Sequence, residues 1–184
     1  VRIHLDGLTI QCLSGSLAEQ ANIDGLIVFV DTWLQPYGTE AERIHEAGGQ
    51  RLRGACAEAG PMTLGKLAVT AGFGVPADRL INCVVASLDS PHPGDELIRR
   101  CTLEGFRKAD GLGLRSVALS PLGSLSNDEA SGCPAILQAV AEMPGQAHHL
   151  DLVRIIVPDD QSRDDVSMMI VREASRRRQE EGVA

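Results

Sequence analysis

Asp31 closes the apolar run Leu26-Ile27-Val28-Phe29-Val30, and Pro36-Tyr37-Gly38-Thr39 follows before a helical pattern begins. Strand, loop and helix entry in that order is a layout that meets anions. The first backbone N–H groups of a helix lack partners within it, and the helix dipole adds attraction for negative charge. Thr39 and Glu42 have the spacing of a capping box, which predicts a helix starting at Thr39. The stretch therefore reads either as a ligand loop or as a plain connection.

Other strings offer chemistry with less support. Gly72-Phe73-Gly74-Val75-Pro76-Ala77 fits the glycine fingerprint of dinucleotide sites. That fingerprint requires a helix opening out of the glycines, and only Asp78 and Arg79 precede the next apolar run. His148, His149 and Asp151 are metal-ligand types, but neighbouring residues on a loop point apart, so a solvated loop is expected and no metal or cofactor. The arginines near the C-terminus are offset by glutamates and read as a solvated helix end. His45 falls on the first helix as a packing or surface residue. Neither a nucleophile elbow nor a P-loop pattern occurs.

The elements that must position these residues follow from composition and periodicity. The 184 residues suit one domain with a sizeable core, and 43% are hydrophobic. A formal charge of −8 argues against general nucleic-acid binding. No apolar run approaches the roughly 20 residues that span a bilayer, and no basic-then-apolar leader opens the sequence. Five scattered cysteines form no C-x-x-C pair; Cys56, Cys83 and Cys101 lie in apolar patterns as core thiols, and a reducing cytoplasm is expected.

Short strands are predicted over 1–5 and 9–13 around the Asp6-Gly7 turn, then over 26–30, 67–71, 80–87, 116–119 and 152–157. Helices are predicted from Thr39 to the Gly60-Pro61 stop, from about Leu97 to Gly111, over 135–143, and over 164–178. A long polar loop covers 120–134. Strands alternating with helices imply an α/β layered domain with a largely parallel sheet. An exposed apolar face is expected around Trp33 and Leu34, of a kind that serves self-association but is also common at surfaces.

Four strings in this order resemble the macro domain, the ADP-ribose-recognising α/β module. Asp24-Gly25-Leu26-Ile27 is similar to that family's D-A-I-V. Residues 44–49, IHEAGG, resemble its I-H-x-A-A-G, and 65–76, GKLAVTAGFGVP, resemble its G-x-A-x-x-T-x-G-[YF]-x-L-P. Residues 111–124 resemble its L-G-L-x-S-I-A-F-P segment. The match runs over about 24–171 within a single domain spanning 1–184. It implies a three-layer fold with a mixed, largely parallel central sheet flanked by helices.

The resemblance also implies a ligand cleft above the sheet. Asp6-Gly7-Leu8-Thr9 resembles the family's Gly-Asp-Ile-Thr, which places Asp6 and Leu8 at the adenine, although Asp6-Gly7 alone reads as a turn. The Asn-Ala-Ala-Asn string becomes Val28-Phe29-Val30-Asp31. Asp31 is then the one polar group left to orient a ribose hydroxyl or a water, and the candidate catalytic residue. Gly38 and Thr39 stand in for the first phosphate loop, where Pro36 has no N–H to offer. Gly123, Ser124, Leu125, Ser126 and Asn127 stand in for the second, or cap the following turn.

Two functions follow. One is binding of ADP-ribose or a related nucleotide derivative, with processing of ADP-ribose 1″-phosphate or of ADP-ribosyl groups. The other is a macro-like fold that has lost this binding and serves as an interaction module or binds another ligand. No membrane partner is expected, and no pattern fixes an oligomeric state.

Overall fold

The computed structural model describes residues 2–122 and 132–181. In chain order they form β1 (Arg2–Leu5), β2 (Leu8–Ser14), a 3-10 turn (Leu17–Glu19), β3 (Gly25–Asp31) and α1 (Thr39–Ala59). Then follow β4 (Leu67–Ala71), β5 (Arg79–Ala86), α2 (Asp95–Gly111), β6 (Ser116–Leu119), α3 (Cys133–Glu142), β7 (Leu152–Val157) and α4 (Asp160–Glu181). One seven-stranded sheet runs in the order β1-β2-β7-β6-β3-β5-β4. The five inner strands are mutually parallel, and β1 and β4 pair antiparallel at the two edges. This is the mixed, three-layer α/β architecture that the sequence implied.

The central strand β3 is apolar on both faces because helices cover both. Leu26, Val28 and Val30 face the layer of α1, together with Ile44, Leu52 and Cys56. Ile27 and Phe29 face the opposite layer, where Phe106, Ile136 and Val166 of α2, α3 and α4 pack. All five cysteines are buried, and none forms a disulfide.

The connections create a particular crevice. From β3 the chain leaves through α1 and returns on one side as β4 and β5. From β6 it leaves through α3 and returns on the other side as β7. Adjacent parallel strands whose connections diverge in this way leave an opening at their carboxyl ends, the usual ligand position in open α/β sheets.

Several expectations change. Leu34 is fully buried, although Trp33 beside it is 57% exposed. The loop turns Leu34 inward at φ 59°, into the cluster of Ile44 and Cys56. Cys133 and Pro134 already belong to α3, with Pro in its first turn, where a missing N–H costs nothing. The last helix starts at Asp160 rather than Asp164. The glycine string over 72–77 is a connection between antiparallel strands, as its missing helix implied. There a Cβ on Gly74 would lie 2.1 Å from the Ala47 carbonyl oxygen, so glycine lets this loop press on α1.

Candidate functional site

The segment after β3 doubles back on the strand it has just left. Asp31 N–H donates to the Gln35 carbonyl at 2.9 Å, and Tyr37 N–H donates to the Phe29 carbonyl at 3.0 Å. Between these bonds Pro36 faces Val30 in an antiparallel bridge. That is the non-hydrogen-bonded position of the ladder, so the missing proline N–H leaves no group unpaired. The Asp31 carboxylate fixes the turn: its Oδ1 accepts the N–H groups of Trp33 at 2.8 Å and Gln35 at 2.9 Å. The Tyr37 hydroxyl donates to the Pro91 carbonyl at 3.0 Å, which ties its ring to the loop before α2.

This hairpin delivers Gly38 to the carboxyl ends of β3 and β6. Gly38 is the residue before α1, at φ 90° and ψ 159°, a region essentially reserved for glycine. Its carbonyl accepts the Glu42 N–H at 3.1 Å. Thr39 is the first helical residue, and among the described residues no side chain caps this end. The expected capping box is therefore not formed, because the chain turns at the glycine one residue earlier. The first N–H groups of α1 are left facing the crevice.

A cleft of about 380 Å³ lies there. Ile27, Val28 and Phe29 form its apolar floor, Gly38 to Ala41 and Arg43 one wall, and Ser120, Pro121 and Leu122 the opposite rim. Leu17, Val157 and Pro158 close the end beside β2 and β7. Dimensions and lining suit a small organic molecule carrying an anionic group.

Of the residues read from the sequence, Gly38 and Thr39 line this cleft. Asp31 is not among the lining residues and is engaged in its own turn. Gly123, Ser124, Leu125, Ser126 and Asn127 lie outside the described residues. Asp6 and Leu8 do not reach the site. Asp6 is in the β1–β2 turn at φ 43°, and Leu8 is buried at 1% exposure. Register aligns Ser14 with Val157 at the cleft end, so Leu8, six residues back, sits roughly 20 Å down the strand at about 3.3 Å per residue, and Asp6 lies beyond it.

The strand end that does reach the cleft is the other end of β2. Gly15 N–H continues the ladder to the Val157 carbonyl at 2.9 Å, and Ser16 and Leu17 follow. Leu17 N–H donates to Glu40 Oε2 at 2.6 Å, and the Ser16 hydroxyl donates to the same oxygen at 3.1 Å. Glu40 Oε1 accepts from Arg43. Gly15-Ser16-Leu17 carries no acid, which is why the sequence points to Asp6-Gly7 instead. The better signal was a glycine directly after the longer strand and shortly before Asp24.

His45 is buried at 4% exposure, with Nε2 unpartnered among the described residues. Burial lowers its pKa and Arg53 adds to that, against an opposing pull from Asp31, so the imidazole is neutral. The turn at His148 and His149 is held by a carboxylate: the N–H groups of His148, His149 and Leu150 all donate to Asp110 Oδ1. Asp151 pairs with Arg115.

Comparison with known families decides the lineage. The profile described as Macro domain matches residues 32–127, which is more than half of the chain. The chain belongs to the macro domain family. This macro domain is 34% identical over 102 residues to an uncharacterized protein of Mycobacterium tuberculosis, and equally to one of Mycobacterium bovis. The match covers 55% of this chain and only 28% of either relative.

Among solved structures, the Oceanobacillus iheyensis macrodomain with ADP superposes with a TM-score of 0.78 at 15% identity, covering 96% of this chain and 97% of that one. The Trypanosoma brucei macrodomain in complex with ADP gives 0.68 at 16%, covering 86% and 66%. At such identities the likeness is one of fold. No described helix is long and apolar enough to cross a membrane.

Proposed function

We propose that this macro domain binds ADP-ribose or a closely related nucleoside diphosphate in the cleft at the α1 entry. The observation that carries the reading is the uncapped start of α1, with Gly38 at its tip, opening onto an apolar-floored cleft of about 380 Å³. Two structures of this fold were solved with ADP, which supports a nucleotide as ligand. The diphosphate lies over Gly38 and Thr39, where backbone N–H groups and the helix dipole favour it. The sugar or base covers Val28 and Phe29. Asp31 spends its Oδ1 on the N–H groups of Trp33 and Gln35 in the loop that carries Gly38, and on this reading the domain retains its ligand without cleaving it. Five buried cysteines outside any disulfide fit a reducing compartment such as the cytoplasm.

A second reading is favoured by one observation. Apolar Val28 and Phe29 line the floor where the family places an amide and a small residue for the ribose. With those contacts gone, the domain serves as an interaction module. Calorimetric titration with ADP-ribose separates the two. Binding in the micromolar range that ADP shares and adenosine lacks supports the nucleotide site. No heat at millimolar ligand leaves the interaction module.

A further inference from the structure

The cleft already contains an anion of its own. Glu40, in the first turn of α1, turns its carboxylate across the cleft end to the strand side, where both oxygens are engaged. Oε2 accepts the Leu17 N–H at 2.6 Å and the Ser16 hydroxyl at 3.1 Å, and Oε1 accepts from Arg43. The Glu40 side chain is 18% exposed, so these bonds are sheltered, whereas Arg43 is 53% exposed. Glu40, Leu17 and Arg43 all line the same cleft.

Three groups that attract an acceptor-rich ligand are thereby held by one internal carboxylate: a backbone N–H, a hydroxyl and a guanidinium. The same negative charge, in the first helical turn, offsets the positive end of α1 that would draw a diphosphate. Glu42, also in the first turn, shares its helix but is not among the residues lining the cleft. Charge-assisted hydrogen bonds of this kind are about twice as strong as neutral ones, so a ligand does not displace them without loss of affinity.

We propose that Glu40 is a specificity-determining residue of this cleft, an internal competitor that holds the Leu17 N–H, the Ser16 hydroxyl and Arg43, and that a nucleoside diphosphate enters only by displacing it. The assignment rests on the reading of the cleft as an ADP-ribose site. A diphosphate that displaces Glu40 inherits Arg43, a planar fork suited to phosphate oxygens. The free protein discriminates against weakly held anions, because only a ligand with enough contacts elsewhere in the cleft overcomes the carboxylate.

The test is calorimetric titration of ADP-ribose into the wild type, Glu40→Gln and Glu40→Ala, with circular dichroism confirming that all three are folded. Gln keeps an acceptor for Leu17 but removes the charge, and Ala frees all three groups. The expected order of affinity is Ala above Gln above wild type, with the Ala variant at least about tenfold tighter than wild type. Adding Arg43→Ala to Glu40→Ala reverses most of the gain. Should wild type bind and Glu40→Ala bind equally or more weakly, the Glu40 assignment is overturned and the ADP-ribose site stands. Binding by Glu40→Ala alone supports the assignment and overturns binding by the native chain. Silence from all three proteins overturns both.

Discussion

Leu17 N–H donates to Glu40 Oε2 at 2.6 Å, a bond across 23 positions of sequence that joins the 3-10 turn after β2 to the first turn of α1. It spans the cleft end between two elements that both line it. The site is consequently set by its own internal contacts as much as by its shape, and the following outcomes depend on those contacts.

Gly38→Val should damage both fold and site. At φ 90° and ψ 159° a side chain is strained by about 1–3 kcal/mol, and its Cβ would meet Leu122 at 3.5 Å on the cleft rim. Urea denaturation should show that loss of stability, and ADP-ribose affinity should fall at least about tenfold. Unchanged affinity would place the ligand away from the α1 entry.

Asp31 separates a structural role from a chemical one. Asp31→Ala leaves the N–H groups of Trp33 and Gln35 without their acceptor and should cost roughly 1–3 kcal/mol. Asp31→Asn keeps an acceptor in place and should retain stability to within about 1 kcal/mol, with ADP-ribose affinity changed less than about threefold. A mono-ADP-ribosylated protein substrate should remain intact with wild type and both variants. Release of ADP-ribose by wild type, abolished in Asp31→Asn, would give Asp31 a catalytic role.

Much of this architecture was legible because it is locally encoded. The β6 segment Ser116–Leu119 is buried throughout, the β7 segment Leu152–Val157 is apolar except for Arg154, and both have the predicted bounds. The glycines of 72–77 were separable from a dinucleotide site by the absence of room for a helix. The site was less legible. Thr39 carries a capping signal, yet backbone geometry at Gly38 overrides it. Leu34 looks like a surface residue until Asp31 folds the loop under it. Nothing local to Glu40 reveals that its partners are Ser16 and Leu17. Asp6 and Leu8 lie away from this cleft for a topological reason, since a parallel sheet gathers carboxyl ends and both residues lie at the other end.

Asp110 holds the 148–150 turn through three backbone N–H groups. Burial raises its pKa, but those hydrogen bonds outweigh it and leave the value below the ordinary 3.8. Its folded pKa is depressed, so its stabilisation is complete above the unfolded pKa and disappears as pH falls through the lower folded value. Asp110→Asn should therefore cost about 1–2 kcal/mol at pH 7. That difference from wild type should shrink as urea melts are taken below about pH 4.

The cysteines should be inert in the native state. Burial pushes Cys101 up to about 11 and Cys133 up to about 12, and Cys83 rises well above its ordinary value for the same reason. Thiolate is the reactive form, so an aromatic disulfide reagent at pH 8 should label no thiol rapidly before denaturation. All five should react after it. Rapid labelling of the folded chain would contradict the packing of α2 and α3 on the sheet.

The central claim is that ADP-ribose occupies the cleft at the start of α1, and amide chemical-shift mapping during a titration tests it most directly. The expected result is saturable shifts concentrated at Leu17, Gly38, Thr39, Glu40, Ala41 and Ser120, with Asp6, Leu8 and the 148–150 turn unmoved. Shifts centred elsewhere, or a spectrum unchanged at millimolar ADP-ribose, would contradict it.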